Sequence, residues 1–178
     1  MSASAAGDGF GALIEAVRTG SPEALASLYR EHGPALYRLA YRLTGTREDA
    51  EDVVHDVFVG LPEALARYEE RGKFPRWLKR VTARVALGRL RGRTRRREVS
   101  LELADHASRP PANTDVTDVE AALDSLPDPL RVTVLLREVE GYSHREVADL
   151  LGISIGASRV RTARALARLR NVLGTRDE

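Results

Sequence analysis

The chain has 178 residues, which is enough for one ordinary domain or two small ones. Hydrophobic residues make up 43% and charged residues 30%, as in globular proteins, and 5% aromatic residues disfavour a large aromatic catalytic pocket. The net charge of +2 is a weak argument for a nucleic-acid partner, and the lack of cysteine excludes disulfides, thiol redox sensing and cysteine-bound zinc.

Helix-forming alanine, leucine, arginine and glutamate dominate the sequence, which predicts an all-α fold. The first eight residues contain neither a basic stretch nor an apolar run. No apolar segment approaches the length of a membrane span. We therefore expect a cytoplasmic protein that does not insert into membranes.

Three helices are predicted in the first half of the chain. Apolar residues recur at helical spacing over residues 25–43, with Gly33-Pro34 as an interruption and Thr44-Gly45-Thr46 as a terminator. Thr46 can cap a second helix that has valines on one face and acidic residues on the other. A third helix begins near Phe74 and ends in a run of arginines, namely Arg89, Arg91, Arg93, Arg95, Arg96 and Arg97.

The helical pattern breaks over residues 98–118, which are polar and contain the turn Arg109-Pro110-Pro111. A Pro-Pro pair in such a segment is more natural between domains than inside one. The sequence therefore predicts two small helical domains, residues 1–97 and 119–178, joined by a flexible linker.

The second domain contains the signature of a helix-turn-helix. Ser143 and Glu146 have the spacing of a capping box that begins a short helix, and Gly152 ends that helix. Ser154 is placed to cap the helix that follows, so the segment predicts two helices joined by a short turn.

Arginines cover the last of these helices, with no acidic residue from Ile153 until Asp177. Such a helix fits the major groove of DNA, where arginine contacts phosphate or guanine. The alternative is a solvated arginine face without a ligand. The arginines concerned are Arg159, Arg161, Arg164, Arg168 and Arg170.

A second basic surface is predicted on the helix that begins near Phe74. It combines Arg76, Lys79, Arg80 and Arg84 with nearby aromatic residues, a combination that suits single-stranded or melting DNA. Trp77 also has core spacing, so a structural role for it is the alternative.

The acidic helix offers three interpretations: a solvated face, a metal site or a protein-docking surface. Its polar residues are Asp49, Glu51, Asp52, His55 and Asp56. A metal is the weakest choice, because His55 is the one histidine nearby and no zinc-type spacing is present. No phosphate-binding loop, dinucleotide motif or nucleophile elbow occurs either, so we expect no cofactor, no catalytic residues and no enzymatic activity.

Three segments resemble the extracytoplasmic-function (ECF) sigma factors. Residues 49–58, DAEDVVHDVF, resemble region 2.2, and residues 74–81, FPRWLKRV, resemble regions 2.3 and 2.4. Residues 126–154, from Leu-Pro through EVEGYS to EVADLLGIS, are similar to region 4. The three occur in the family's order and cover both predicted domains.

This resemblance implies that the first domain docks on the β′ clamp helices of core RNA polymerase and opens the minus-ten promoter element. The second domain is then expected to read the minus-thirty-five element, and the β flap is expected as a further contact on the polymerase. An anti-sigma factor is expected as a further partner.

The residue patterns and the resemblance together predict three sets of contact residues. The polymerase contacts are Asp49, Asp52, His55 and Asp56. The minus-ten contacts are Tyr68, Lys73, Phe74, Arg76, Trp77, Lys79, Arg80 and Arg84. The minus-thirty-five contacts are Ser154, Ser158, Arg159, Val160, Arg161, Ala163 and Arg164. We expect Asp52 and Asp56 to have no packing role, because they lie opposite the valine face.

Several residues differ from the usual family pattern. His55 stands where glutamine is usual and Pro62 where tryptophan is common, while Arg84 and Gly88 replace asparagine and aspartate. Ser158 and Thr162 are polar where the family packs apolar residues, which predicts either a rotated helix or softer packing.

The alternative function is a stand-alone helix-turn-helix regulator whose first domain senses a signal or dimerises. A nucleic-acid-processing enzyme comes third, because the sequence offers no catalytic constellation.

Overall fold

The computed structural model describes residues 3–69, 73–100 and 118–174, and every regular element in these ranges is helical. The chain divides between Arg96 and Arg97 into two units. The prediction of an all-α fold is confirmed. Most of the predicted linker lies outside the described residues, but residues 98–100 continue a helix, so the helical pattern ends later than the sequence predicted.

Unit 1 contains five helices: α1 (Ala3–Arg18), α2 (Pro22–Thr44), α3 (Arg47–Val59), α4 (Leu61–Leu65) and α5 (Phe74–Ser100). As predicted, Gly45 ends α2 in the left-handed conformation, with φ of 89°. Thr46 caps α3 by accepting a hydrogen bond from the backbone N–H of Asp49 at 3.2 Å. The local sequence thus fixes the turn between α2 and α3.

The interruption predicted at Gly33-Pro34 is wrong, since α2 runs without a break from Pro22 to Thr44. Proline inside a helix loses one backbone hydrogen bond and costs about 3 kcal/mol. Leu28, Leu36 and Leu39 are fully buried on either side of Pro34, and this packing outweighs the local cost.

The core of unit 1 forms where α2, α3, α4 and α5 turn their apolar faces inward. Its fully buried side chains include Leu36, Leu43, Val53, Leu61, Leu65, Phe74 and Leu78. Because the valines of α3 point into this core, the acidic residues of the same helix lie on its outer side.

Unit 2 contains α6 (Asp118–Asp124), α7 (Asp128–Val134), α8 (His144–Leu151) and α9 (Ile155–Gly174). A π-helical turn, Leu135–Val139, continues α7. Leu126 and Val134 pack with Ala165 of α9 in a buried cluster that anchors the long last helix. Among the described residues, no helix is both long and apolar enough to cross a membrane.

Candidate functional site

The predicted helix-turn-helix is confirmed in unit 2. Ser143 and Glu146 form both hydrogen bonds of the capping box that begins α8. Gly152 then reverses the chain with φ of 67°, a conformation that glycine adopts without strain. The Ser154 hydroxyl accepts a hydrogen bond from the backbone N–H of Ala157 at 3.0 Å and so caps the start of α9. These caps fix the angle at which α9 leaves the turn.

The outer face of α9 exposes four of the seven residues predicted to read DNA: Arg159, Val160, Ala163 and Arg164. Val160, which is 49% exposed, is the apolar side chain of this face. Arg161 is half-buried, and Ser154 is exposed while its hydroxyl serves the cap. Neither Arg159 nor Arg164 pairs with an acidic side chain in the described part of the chain. The face therefore offers unneutralised cations around small and apolar side chains, as a groove-binding helix does.

Ser158 departs from the predicted set, because its side chain is completely buried against α8. Its Oγ lies 3.1 Å from Nδ1 of His144, and Thr162, also buried, donates a hydrogen bond to the Ser158 carbonyl at 2.9 Å. The two polar residues thus face inward, where the family packs apolar ones, so α9 is not rotated to expose them. Nothing in the sequence around Ser158 pointed to His144 as its partner.

α5 presents two arginine faces. Lys73, Arg76 and Arg84 are exposed and Lys79 and Arg80 partly exposed along one side. Arg89 lies about two and a half turns after Arg80 and therefore points to the opposite side, as Arg93 does relative to Arg84. The side chains from Thr94 onward lie outside the described residues, and so does much of the loop that precedes Lys73. The earlier stripe is the one that contains the basic residues predicted to contact the minus-ten element.

Two of the three predicted aromatic contacts are buried instead. Phe74 is 1% exposed and contacts the rings of Phe10, His32, Tyr68 and Trp77 at centroid distances between 5.2 and 5.7 Å. Tyr68 is 7% exposed and lies 4.6 Å from Trp77. Of the three predicted aromatic contacts, Trp77 is the partly exposed one. In this conformation the buried rings of Phe74 and Tyr68 pack against Trp77 and are not accessible for stacking on a base.

Arg18 of α1 reaches this region from a distance that sequence patterns do not reveal. Its Nε donates to the carbonyl of Leu65 at 2.9 Å, and its Nη2 donates to the carbonyl of Tyr68. These two carbonyls lie 47 and 50 positions after Arg18 in the sequence. One guanidinium therefore ties α1 to the end of α4 and to the turn that leads toward Lys73.

The acidic face of α3 is partly occupied by α5. Arg89 bridges Asp52 at 2.7 Å and Asp56 at 2.6 Å, and Arg93 pairs with Asp49. The hydrogen bonds that the Arg89 guanidinium donates to Asp56 raise the pKa of Arg89 above its ordinary value, against the opposing effect of burial. The expectation that Asp52 and Asp56 have no packing role is therefore wrong, because both fasten α3 to α5. His55 is exposed on the same face.

A metal is not favoured on this face by the geometry. Among the described residues, no three histidine or acidic side chains are grouped so that they could hold an ion. Arginines instead neutralise the carboxylates.

Two family models match the chain, one on each unit. Sigma-70 region 2 matches residues 28–96, and Sigma-70 region 4 matches residues 117–169. The first match covers α2 to α5 and the second covers the helix-turn-helix.

Curated relatives match along almost the whole chain. The chain is 36% identical to the "ECF RNA polymerase sigma factor SigE" of Mycolicibacterium smegmatis, over 87% of this chain and 65% of that protein. It is 32% identical to the "RNA polymerase sigma factor CarQ" of Myxococcus xanthus, over 90% of this chain and 95% of that protein.

Two solved structures share the fold. The sigma factor RpoE of Bartonella quintana, solved with the anti-sigma factor NepR, gives a TM-score of 0.61 at 25% identity, with 84% of this chain and 96% of that one covered. CnrH, solved with the cytosolic domain of CnrY, gives 0.56 at 28% identity, with 92% and 96% covered.

Proposed function

Because the chain belongs to the ECF RNA polymerase sigma factors, we propose that it binds core RNA polymerase, recognises promoter DNA and starts transcription. The observation that carries this function is the combination of a capped helix-turn-helix in unit 2 with separate acidic and basic surfaces in unit 1. A stand-alone regulator would need only the helix-turn-helix, whereas the relatives match both units.

The proposed polymerase contact is the acidic face of α3, formed by Asp49, Asp52, His55 and Asp56. The side chains of Asp52 and Asp56 are 55% and 45% exposed despite their bonds to Arg89. Carboxylate oxygens of both therefore stay accessible to donors on the β′ clamp helices. Unit 2 is proposed to meet the β flap, as the family's region 4 does.

The proposed minus-ten contact is the basic stripe of α5 with Trp77 at its start. Cationic side chains attract the backbone of a separating strand, and a partly exposed ring can stack on an unpaired base. The stripe consists of Lys73, Arg76, Lys79, Arg80 and Arg84. Tyr68 and Phe74 would act by holding Trp77 in place.

The proposed minus-thirty-five contact is the outer face of α9. Its first turns follow the Ser154 cap, and in helix-turn-helix proteins this end lies nearest the base edges. Arg159, Arg161 and Arg164 supply donors for guanine or phosphate, and Val160 and Ala163 can meet thymine methyl groups.

We further propose an anti-sigma partner and action in the cytoplasm, without a cofactor or a catalytic activity of its own. Support for the partner comes from RpoE, solved with the anti-sigma factor NepR. CnrH was solved with the cytosolic domain of CnrY.

Reconstitution tests the proposed function. The chain is mixed with core RNA polymerase and genomic DNA fragments, and the 5′ ends of the transcripts are mapped. We expect discrete start sites that need both proteins, and no sequence-specific protection of duplex DNA by the chain alone. The proposal is wrong if the chain alone protects specific duplex sites while core enzyme with the chain yields no new start sites.

A further inference from the structure

The contact between the two helices of the helix-turn-helix contains an unusual polar bridge. Ser158 of α9 is 0% exposed, and its Oγ lies 3.1 Å from Nδ1 of His144, the first residue of α8. A buried hydroxyl without a partner costs about 1–3 kcal/mol, so this contact satisfies a group that the fold has removed from water. The hydroxyl both donates and accepts and can therefore serve either imidazole tautomer.

Both ends of the bridge are held in place by other hydrogen bonds. On α8, the Ser143 cap and Glu146 fix the turn that carries His144. On α9, the Thr162 hydroxyl donates to the Ser158 carbonyl at 2.9 Å, one turn further along. The bridge thus joins two side chains whose backbones both lie in hydrogen-bonded helical turns.

We propose that His144 is a positioning residue that sets the rotation of α9 through Ser158, and so determines which side chains of α9 reach the base edges. This inference rests on the proposed role of α9 in reading duplex promoter DNA. His144 itself is not assigned a contact with DNA.

Helix geometry gives the bridge this leverage. Ser158 directly precedes Arg159, so any rotation that lengthens the bridge also moves Arg159 relative to the groove. At a helix radius of about 5–6 Å, a rotation of about 10° displaces a side chain by about 1 Å. A hydrogen bond to a base tolerates less than this, so a small rotation changes base preference and not only affinity.

A buried apolar residue of α8 serves as the contrast. Val147 of α8 is also 0% exposed but makes no side-chain hydrogen bond. Truncation of Val147 lowers the stability of the same unit without removing the bridge. Val147→Ala is therefore the matched control for a loss of stability alone.

The test uses the full chain with core polymerase and a promoter library randomised over the upstream element. We compare His144→Ala, Ser158→Ala, the double variant and Val147→Ala by sequencing the transcribed templates. We expect each single bridge variant to change the relative preference at one or two upstream positions about two- to tenfold. The double variant should match either single variant, because both remove the same bond. Val147→Ala should lower total output and leave the preferred sequence unchanged.

Conservative substitutions at His144 sharpen the test. Asparagine places a polar atom where imidazole has Nδ1, whereas glutamine places one near Nε2. His144→Asn should therefore restore the original preference, and His144→Gln should not. Thermal unfolding of each variant shows that it folds, and if His144→Ala or Ser158→Ala fails to fold, His144→Gln replaces it, because it is also expected to lack the bridge.

The positioning role is wrong if the bridge variants lower output for all templates alike, as Val147→Ala does, or if asparagine and glutamine behave the same. Failure of the proposed function looks different. In that case the wild-type protein itself shows no base preference in the upstream element.

Discussion

At the scale of single residues, the arginines of α9 differ in their distance from the capped end and in the side of the helix they occupy. Arg159 lies just after the first turn, and Arg168 lies about 14 Å further along the axis. This interval of nine residues is about two and a half helical turns. The side chains of Arg159 and Arg168 therefore lie at opposite edges of the exposed face of α9. One groove cannot offer base edges to both.

We predict different losses for these two arginines. Arg159→Ala should cost about 1–3 kcal/mol of promoter binding and relax preference at one minus-thirty-five position, as the loss of a bidentate guanine contact does. Arg168→Ala should weaken binding to all sequences equally and reduce the salt slope by about one, as the loss of one phosphate contact does. Holoenzyme binding to a promoter library at several salt concentrations measures both effects. If the two variants exchange these behaviours, α9 enters the groove in another orientation.

Arg18 carries the second prediction at this scale. Its guanidinium donates to the carbonyl of Leu65, the last residue of α4, and to the carbonyl of Tyr68, which lies shortly before the proposed minus-ten surface. Arg18→Ala should lower the free energy of unfolding by about 1–3 kcal/mol, because it removes two hydrogen bonds from a charged group to backbone carbonyls. It should also slow promoter opening more than it weakens polymerase binding.

Arg18→Lys is the informative partner of that variant. Lysine keeps the charge but lacks the fork that reaches two carbonyls at once, so it should recover less than half of the lost stability. Chemical denaturation and permanganate footprinting of the open complex measure the two effects. Full recovery with lysine would mean that charge, and not the paired hydrogen bonds, matters here.

At the scale of elements, α3 and α5 are fastened by carboxylates that are also the proposed polymerase contacts. Removal of Asp52 and Asp56 therefore both loosens the contact between α3 and α5 and removes the proposed polymerase contact, and these two effects must be separated. Arg89 provides the means, because its removal breaks the same ion pairs and leaves both carboxylates in place.

We predict that Asp52→Asn with Asp56→Asn lowers core-polymerase affinity at least tenfold, whereas Arg89→Gln does not lower it. Each change should cost about 0.2–1 kcal/mol of stability per ion pair, since the pairs are partly exposed. Binding of labelled protein to core enzyme and thermal unfolding provide the two measurements. Equal affinity losses in both variants would show that the acids act by holding α5 and do not touch polymerase.

The sequence predicted local features of these elements well and long-range ones poorly. The caps at Thr46, Ser143 and Ser154 and the turns at Gly45 and Gly152 depend on a few adjacent residues, and all were predicted. Continuity of α2 through Pro34 was missed because packing by distant helices decides it. The bonds of Arg89 to Asp52 and Asp56 were missed for a related reason: they join positions 37 and 33 residues apart, which no periodic pattern relates.

At the scale of the whole molecule, the two units each have their own buried core. Unit 1 buries leucines of α2 with valines of α3, and unit 2 buries Leu126 and Val134 with Ala165. A separate buried core in each unit is what independent folding requires. The family models divide the chain in the same way, with region 2 ending at residue 96 and region 4 beginning at residue 117.

We predict that brief proteolysis of the free protein cuts within residues 98–118 and leaves two resistant helical fragments. The sequence there is polar, contains Arg109-Pro110-Pro111 and lacks an apolar period, so it has little to bury. Trypsin is a poor probe, because Arg109 is the one arginine or lysine of positions 101–117 and proline follows it. Subtilisin, which cleaves at many residue types, avoids this bias, and mass spectrometry with circular dichroism identifies the fragments. Two independently folded units would be contradicted if residues 98–118 resisted cleavage as α2 does, or if the released fragments lost their helical signal. The same digestion of the polymerase-bound protein then shows whether binding protects residues 98–118.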